Sequence, residues 1–358
     1  MSPDPLNDAF DYAALPSRVV FGSGALAKAP ALAAELGMTR VLVIATGSQA
    51  KAAEGLVRDL GPLGAGLYAK AAMHTPVEVT DDAMGVVERN SIDGLIALGG
   101  GSAIGLAKAI ALRTDLPQIA IPTTYAGSEM TPVVGETRDG KKTVQRSMKV
   151  LPEAVIYDVA LTLGLPVGTS VTSGFNAIAH AVEALYSKTR HPLLSAAAEE
   201  CVRALGHALP RISRQPDDEE ARSLALRGAW LGGWSLANGG SALHHRLCHI
   251  LGGAFGLPHA ETHTVVLPHV LAYNAAAVPE TIERLARALS VDNPGEDLFD
   301  LAQSLGAPRA LKALGMPEAG IDQTVATLMA DPPWNPRPLD AKPLRALLQR
   351  AWSGSQPR

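Results

Sequence analysis

Short apolar runs alternate with helical patterns through the first part of the chain. The runs lie at positions 18–21, 41–45, 94–98 and 118–121, and the first three are each followed by a Gly- or Ser-containing turn and an Ala/Leu-rich segment. Strands that are apolar throughout and joined by helices are typical of a parallel sheet covered on both faces. The pattern therefore predicts an α/β domain.

From Asp158 onward the pattern becomes helical. Long segments rich in Ala, Leu, Glu and Arg are separated by short Gly- or Pro-containing breaks, and no β-rich run interrupts them. No internal repeat or heptad series is present. We therefore expect two domains, an α/β domain over residues 1–157 and an all-helical domain over residues 158–358.

Composition narrows the class of protein. The 358 residues carry 31 basic and 35 acidic side chains, a formal net charge of −4, without a basic cluster of the kind that binds nucleic acid. The N-terminus has neither a basic nor an apolar targeting segment, and no apolar run reaches the roughly 18 residues of a membrane span. Two cysteines, Cys201 and Cys248, are too few for a disulfide framework. We expect a cytoplasmic enzyme that acts on a small molecule, without a nucleic-acid or membrane partner.

A glycine-rich turn follows the third apolar run. Gly99, Gly100, Gly101 and Ser102 stand between a predicted buried strand and a helix. Glycine lets a diphosphate approach the backbone, and the helix N-terminus supplies a partial positive charge. An ordinary tight turn is the alternative, because Gly105 comes one residue too late for the usual G-x-G-x-x-G fingerprint. No Gly-Lys-Ser/Thr follows, so a P-loop nucleotide hydrolase is disfavoured.

A second polar loop ends the next strand. Thr123, Thr124 and Ser128 lie in it, at the same predicted edge of the sheet as the glycine turn, where open α/β sheets bind ligands. The two loops together predict a Rossmann-like, dinucleotide-binding domain. The run at 41–45 ends at Thr46 rather than at an acidic residue that would favour NAD over NADP. Either NADH or NADPH therefore fits.

Nine of the ten histidines lie between His180 and His269. Asn176, His180 and Glu183 share one face of a predicted helix that Thr172 or Ser173 would cap. Farther on, His245 and His249 lie one helical turn apart, and His259 opens the next segment. Arg246 replaces the general-base Glu of a zinc-protease helix, which disfavours a peptidase. We interpret His191 and His207 as ordinary structural or surface residues, and His263 and His269 as supporting or structural.

The chain carries, in this order, FGSGAL, ALGGGSAIGLAKA, PTTYAGSEMTP, VLPEAVIYD, SGFNAIAHAVEALYS, LHHRLCHILGGAFGLPHAETHTVVLPHVLAYN and NPRP. In order and spacing these segments resemble the iron-containing alcohol dehydrogenase superfamily and, within it, the maleylacetate reductases. The resemblance implies an NAD(P)-binding α/β domain followed by an all-helical domain, and a homodimer.

The resemblance also suggests which residues form the site. The Asp and three His that hold a divalent ion in the metal-dependent members match Asn176, His180, His245 and His259. Because an amide brings no negative charge, we expect a weak or vestigial metal site and no metal requirement.

The reaction that the resemblance implies is reduction of the carbon–carbon double bond of maleylacetate, and possible chloro-substituted forms, to 3-oxoadipate in aromatic-compound degradation. Hydride addition β to the ketone gives an enolate, which needs a hydrogen-bonding or cationic group at oxygen and a proton at the α carbon. We expect His245 and His249 to line the reacting centre, His180 and His259 to complete the imidazole cluster, and Asn176 to supply a hydrogen bond. Arg246 and Arg337 are candidates for binding the two substrate carboxylates.

Three other functions stay open at this point. A metal-dependent alcohol or aldehyde dehydrogenase of the same superfamily would retain Asn176 as a ligand. A lyase like dehydroquinate synthase would need a dense Lys/Arg set for a phosphorylated sugar, and the histidine segments lack one. A non-catalytic metal-binding module is disfavoured by the two nucleotide-type loops.

Overall fold

The computed structural model describes residues 10–139 and 141–358, apart from the side chains of residues 141 and 142. These residues form two compact units. One is residues 14–165; the other combines residues 10–13 with residues 166–358. The division after Leu165 falls later in the chain than the boundary predicted after Tyr157.

The α/β unit is built on a parallel sheet and a separate hairpin. Its strands are β1 Arg18–Phe21, β2 Val41–Ile44, β3 Gly64–Tyr68, β4 Gly94–Gly99, β5 Gln118–Pro122, β6 Val133–Arg138, β7 Lys141–Arg146 and β8 Ala154–Tyr157. Six strands form the sheet in the order β1-β8-β5-β4-β2-β3, with every pairing parallel. β6 and β7 form an antiparallel pair. The predicted parallel α/β domain is confirmed.

Four helices accompany the sheet. They are α1 Ala29–Glu35, α2 Ala50–Asp59, α3 Val77–Arg89 and α4 Gly101–Thr114. The central strands β2, β4 and β5 are buried along their whole length, as their uninterrupted apolar sequences predict. Because these strands are fixed from both faces, their carboxyl ends provide a rigid edge.

The second unit is helical. It contains α5 Val167–Leu185, α6 Pro192–Arg214, α7 Glu219–Gly239, α8 Leu243–Phe255, α9 His259–Asn274, α10 Pro279–Leu289, α11 Pro294–Ser304, α12 Gly320–Ala330 and α13 Ala341–Ser353. No described residue after Tyr157 lies in a strand, which confirms the all-helical prediction. None of the described helices is both long enough and apolar enough to cross a membrane.

Helix α5 is the buried centre of this unit, with every residue from Ser170 to Leu185 buried. The prediction that Thr172 or Ser173 caps this helix was wrong. The helix begins at Val167, after Pro166, and both hydroxyls instead donate to the carbonyl oxygens of Gly168 and Thr169 one turn earlier. A helix can begin directly after a proline without a polar cap. Buried hydroxyls within the helix then hydrogen-bond to its backbone carbonyl oxygens.

The first described residues pack onto the helical unit. The ring of Tyr12 lies 4.4 Å from that of His191, and Phe10 stacks on the same imidazole with the ring centroids 5.6 Å apart. His191 itself caps α6, because its Nδ1 accepts a hydrogen bond from the amide of Leu194. The interpretation of His191 as structural agrees with these contacts.

Candidate active site

The predicted cofactor residues lie at one edge of the sheet. Gly99 at the end of β4 is paired with Pro122 at the end of β5, and the Thr123 amide donates to the Gly99 carbonyl oxygen over 3.1 Å. On the other side of β4, strand β2 leads directly into Thr46. The structure therefore brings together the two loops that the sequence placed at a common edge and adds Thr46 beside them.

The glycines of this edge allow the two loops to approach closely. A Cβ atom on Gly100 would stand 2.9 Å from Cγ2 of Thr124, whereas a Cβ on Gly101 would meet no atom within 4 Å. Gly100 precedes α4 without any side-chain cap. An uncapped helix N-terminus with open space beside Gly101 and a hydroxyl at Ser102 has the features of an anion site. This edge fits the diphosphate of a dinucleotide.

A buried lysine holds the loop that contains Ser128. Lys108 on α4 is 1% exposed, and its Nζ donates to the carbonyl oxygens of Ser128, Thr131 and Val133 over 2.5, 2.7 and 3.1 Å. Burial lowers the pKa of this amine to about 7, although the negative charge of Glu129 acts to raise it. Lys108 was not predicted from the sequence, although a lysine within the otherwise apolar run LAKAIAL is a visible signal.

A second feature that the sequence analysis missed is a strained turn after β3. His74 and Thr75 both have positive φ angles, 63° and 46°, although neither is glycine. A β-branched residue in this region is an outlier that surrounding structure must hold. Thr137 of β6 does so, because its amide donates to the Thr75 carbonyl and its hydroxyl to that of His74. The β6–β7 hairpin thus stabilises this turn.

The predicted histidines form a chain of neighbouring rings in the helical unit. His180 stacks on His245 with the ring centroids 5.0 Å apart, His249 lies 6.3 Å from His245, and His259 lies 6.3 Å from His249. Asn176 is buried one turn before His180 on α5. Helices α5, α8 and α9 thus bring together all five residues that were predicted to form the site.

Two nitrogens of this cluster face no protein partner. Among the described residues, Nδ1 of His180 and Nε2 of His245 are buried and make no hydrogen bond. A buried polar atom that stays unsatisfied costs about 1–3 kcal/mol, so a protein interior rarely tolerates two side by side without a ligand or water. Burial, followed by the neighbouring imidazoles, lowers the pKa of His180 well below the ordinary value. His180 is therefore neutral near pH 7 in the free protein.

Glu183 hydrogen-bonds to His245 and to the N-terminal end of α8. Its Oε2 lies 2.5 Å from Nδ1 of His245 and 2.9 Å from the amide of Ala242, and its Oε1 accepts from the amide of His244 over 2.7 Å. The carboxylate thus caps the N-terminus of α8 and fixes the orientation of the His245 ring, leaving its Nε2 to face the cluster. Sequence analysis placed Glu183 on the face shared by Asn176 and His180 but assigned it no role.

A further group lies behind His245. Nε2 of His244 is 2.9 Å from Nδ1 of His263, and Sγ of Cys248 is 3.8 Å from the same His244 nitrogen. All three side chains are buried. Burial is the first cause that lowers the pKa of both imidazoles well below the ordinary value and raises that of the thiol.

The other histidines stand apart from this arrangement. His207 is exposed on α6, as predicted. His269 packs edge-on against Phe299, and burial lowers its pKa to about 4. Both residues therefore agree with a surface or structural interpretation.

The two candidate arginines already have protein partners. Arg246 forms an ion pair with Asp331 over 2.6 Å at an exposed position. Arg337 donates to the carbonyl oxygen of Tyr273 over 2.7 Å and stacks on the Tyr273 ring, 4.1 Å from its centroid. The guanidinium of Arg337 is thus held in a fixed orientation, which leaves its remaining N–H groups for another acceptor.

Two family models match nearly the whole chain. The model described as "Iron-containing alcohol dehydrogenase" matches residues 16–159, and that described as "Fe-containing alcohol dehydrogenase family, C-terminal" matches residues 170–352. The chain belongs to the iron-containing alcohol dehydrogenase family. It is therefore an oxidoreductase of an NAD-dependent family.

Several similar proteins within this family are named maleylacetate reductase. The maleylacetate reductase of Rhizobium sp. (strain MTP-10005) is 51% identical over 97% of this chain and 99% of its own. That of Sphingobium indicum is 49% identical with the same coverage. The crystal structure of maleylacetate reductase from Agrobacterium tumefaciens superposes with a TM-score of 0.94 at 50% identity, over 98% of this chain and 99% of that one. The predicted resemblance is confirmed.

One of the metal positions that the family resemblance implies carries a neutral side chain in this chain. Asn176 supplies a neutral amide where the metal-dependent members have a carboxylate. Among the described residues, the ligand atoms of His244, Cys248 and His263 all lie within 4.8 Å of one another. The ligand atoms of His180, His245 and His259 are not grouped this closely. The donor set at these positions therefore differs in charge from the one that the resemblance implies for the metal-dependent members.

Proposed function

We propose that this chain reduces the carbon–carbon double bond of maleylacetate to 3-oxoadipate, with NADH or NADPH as the reductant. The observation that carries the proposal is the buried imidazole cluster with an amide, Asn176, at the position of the family's carboxylate ligand. Relatives about 50% identical over their full length bear the name of this activity. An enone reductase needs a hydrogen-bond donor for the enolate oxygen and a proton donor for the α carbon, and the imidazole cluster offers both.

The nucleotide edge would hold the cofactor through the backbone of Gly99, Gly100 and Gly101 and the hydroxyls of Thr46, Ser102, Thr123, Thr124 and Ser128. The bound cofactor supplies a hydride to the alkene carbon β to the ketone. Because no acidic side chain follows β2, neither cofactor is repelled at that position.

The imidazole cluster would manage the charge and the proton. The enolate oxygen accepts a hydrogen bond from a ring N–H, and a protonated imidazole gives its proton to the carbon α to the ketone, so that one hydride and one proton are added. His245 and His180 are suited to the oxygen because each has a buried ring nitrogen without a hydrogen-bond partner and their rings stack on each other. His249 and His259 are partly exposed and exchange protons with solvent more readily. Asn176 would add a hydrogen bond.

No resident metal is needed for this chemistry. The enolate is delocalised over the conjugated carbons, so hydrogen bonds can stabilise it where an unconjugated alkoxide would benefit more from a Lewis acid. A cytoplasmic homodimer completes the proposal, and the free, buried thiols of Cys201 and Cys248 fit a reducing compartment.

The direct test follows the absorbance of reduced nicotinamide after addition of maleylacetate. Chelator-treated enzyme is expected to consume NADH or NADPH and form 3-oxoadipate in equal amounts. Failure to oxidise either cofactor would refute the proposed function. Activity that is lost after chelation and restored by Fe²⁺ or Zn²⁺ would favour a metal-dependent dehydrogenase instead.

Alanine at His245 or His249 should lower turnover. Loss of general acid–base or oxyanion support typically costs about 10²-fold or more, so we expect kcat to fall by at least that factor with cofactor binding preserved. Steady-state kinetics and cofactor fluorescence titration measure the two quantities. The control is His207→Ala, an exposed histidine on α6. Near-wild-type kcat in both site variants would show that these imidazoles do not serve the reaction.

Arg337→Lys should weaken substrate binding. Lysine keeps the charge but loses the stacking on Tyr273 and the two-pronged geometry that matches a carboxylate. We expect KM for maleylacetate to rise about tenfold with little change in kcat, since one bidentate contact is worth roughly 1–2 kcal/mol. An unchanged KM would remove Arg337 from the substrate site, and Arg246→Lys would then be measured in the same way.

A further inference from the structure

A compact set of soft metal ligands lies beside the family positions. His244 and Cys248 are one turn apart on α8, and His263 projects from α9. Their ligand atoms all lie within 4.8 Å of one another, and the three side chains are at most 2% exposed. Two helices that pack together thus present one thiol and two imidazoles to a common point.

The distances are close to those of a coordinated ion. Zinc bonds of about 2.0–2.1 Å to nitrogen and 2.3 Å to sulfur place tetrahedral ligands roughly 3.3 Å (N···N) and 3.6 Å (N···S) apart. The observed separations are 2.9 Å from His244 Nε2 to His263 Nδ1 and 3.8 Å from Cys248 Sγ to His244 Nε2. The third pair, Cys248 and His263, has its ligand atoms within 4.8 Å. Side-chain shifts of about an ångström or less would therefore bring all three ligand atoms to tetrahedral separations.

The charges also suit a divalent ion here better than at the family positions. A bound Cys248 contributes a thiolate, and the Glu183 carboxylate is close enough for its charge to act on Cys248. Cys248 thus supplies a negative charge in direct contact with the ion, which Asn176 cannot do at the family positions, and Glu183, which is bonded to His245, adds a second negative charge near both places. A buried ion without such compensation would be strongly disfavoured.

We propose that His244, Cys248 and His263 form a binding site for a thiophilic divalent ion such as Zn²⁺, separate from the ligand positions of the family. Binding displaces the thiol proton to solvent. The proton shared between the two imidazoles moves to an outer ring nitrogen, so each ring offers a lone pair without net loss of a proton. Three protein ligands leave one tetrahedral position for water or an anion.

The experiment uses Co²⁺ as a spectroscopic probe of the full-length, chelator-treated protein. We expect one Co²⁺ per chain, with a dissociation constant of about 1 μM or lower, and a near-ultraviolet thiolate-to-cobalt charge-transfer band. Excess Zn²⁺ should abolish the band. Absence of the band, or of stoichiometric binding, would overturn the proposal.

Variants locate the ion. Loss of a residue that only hydrogen-bonds to a metal ligand costs about 10–100-fold in metal affinity, so Cys248→Ser, which removes a ligand, should abolish the band and weaken binding by at least about 100-fold. His263→Gln should weaken it similarly while keeping a thiol, and melting temperatures without metal show that each variant folds. Cys201→Ser, at the other buried cysteine, and His180→Asn, at a family position, should bind as the wild type does. Binding that survives in Cys248→Ser and disappears in His180→Asn would place the ion at the family positions and refute the proposal.

Discussion

Glu183→Gln is expected to reduce kcat by on the order of 100-fold or more while the dissociation constant of the reduced cofactor stays within about twofold. The carboxylate accepts from the amides of Ala242 and His244 and from the ring of His245. The glutamine side chain would keep only one acceptor oxygen, and its NH2 group would face one of the N–H groups that now donate to the carboxylate. The His245 ring would then lose its fixed orientation, so the loss should fall on turnover.

Stopped-flow hydride transfer and cofactor titration separate these effects. Glu183→Asp should recover part of the lost kcat, because it restores the charge with a shorter reach, which a purely structural defect would not predict. Glu220→Gln is the matched control, since this glutamate is 86% exposed. Equal losses in cofactor affinity and kcat, without recovery by Asp, would contradict a positioning role for Glu183.

Gly101→Ala should raise the dissociation constant of NADH or NADPH by about tenfold or more, since a close phosphate contact at a helix N-terminus is worth at least about 1.4 kcal/mol. A methyl group there meets no protein atom within 4 Å, so it fills only the space in which a diphosphate would lie. Isothermal titration calorimetry measures the change.

The free protein should be unaffected by this substitution. Alanine favours a helix more than glycine does, so the melting temperature should not fall. Gly55→Ala on α2, where a Cβ would come no closer than 3.8 Å to the end of the Arg58 side chain, is the control in the same unit. Gly100→Ala is less informative, because its clash with Thr124 would disturb the loops themselves. Wild-type cofactor affinity in Gly101→Ala would show that the diphosphate lies elsewhere.

Three of the four predicted strands have apolar residues that reveal burial, whereas β1, predicted from RVVF, lies at the sheet edge and the buried β8 was not predicted. β2, β4 and β5 carry uninterrupted Val, Ile, Leu and Ala and lie in the middle of the sheet. β3 was missed because its sequence, GAGLY, lacks β-branched residues and packs at the sheet edge. The β6–β7 hairpin was missed because polar residues dominate KKTVQR.

The identities of the site residues were predictable from the sequence, but their contacts with one another were not. Helical spacing placed Asn176, His180 and Glu183 on one face, and the structure buries all three on α5. The partners of Glu183 lie about 60 residues farther along the chain, and helical periodicity carries no information on such contacts. The same holds for Lys108, whose acceptors belong to a loop with no regular pattern.

The order of the units along the chain has a practical consequence for expression and trimming. The α/β unit is one continuous stretch, whereas the helical unit is drawn from both sides of it, with Phe10 and Tyr12 packed on His191. An N-terminal deletion that removes these two rings would therefore expose an α6 cap and destabilise the helices encoded more than 150 residues later. The neighbouring strand β1 would keep its own partner, β8. A fusion tag or protease site that is meant to leave the helical unit intact should therefore stay clear of Phe10 and Tyr12.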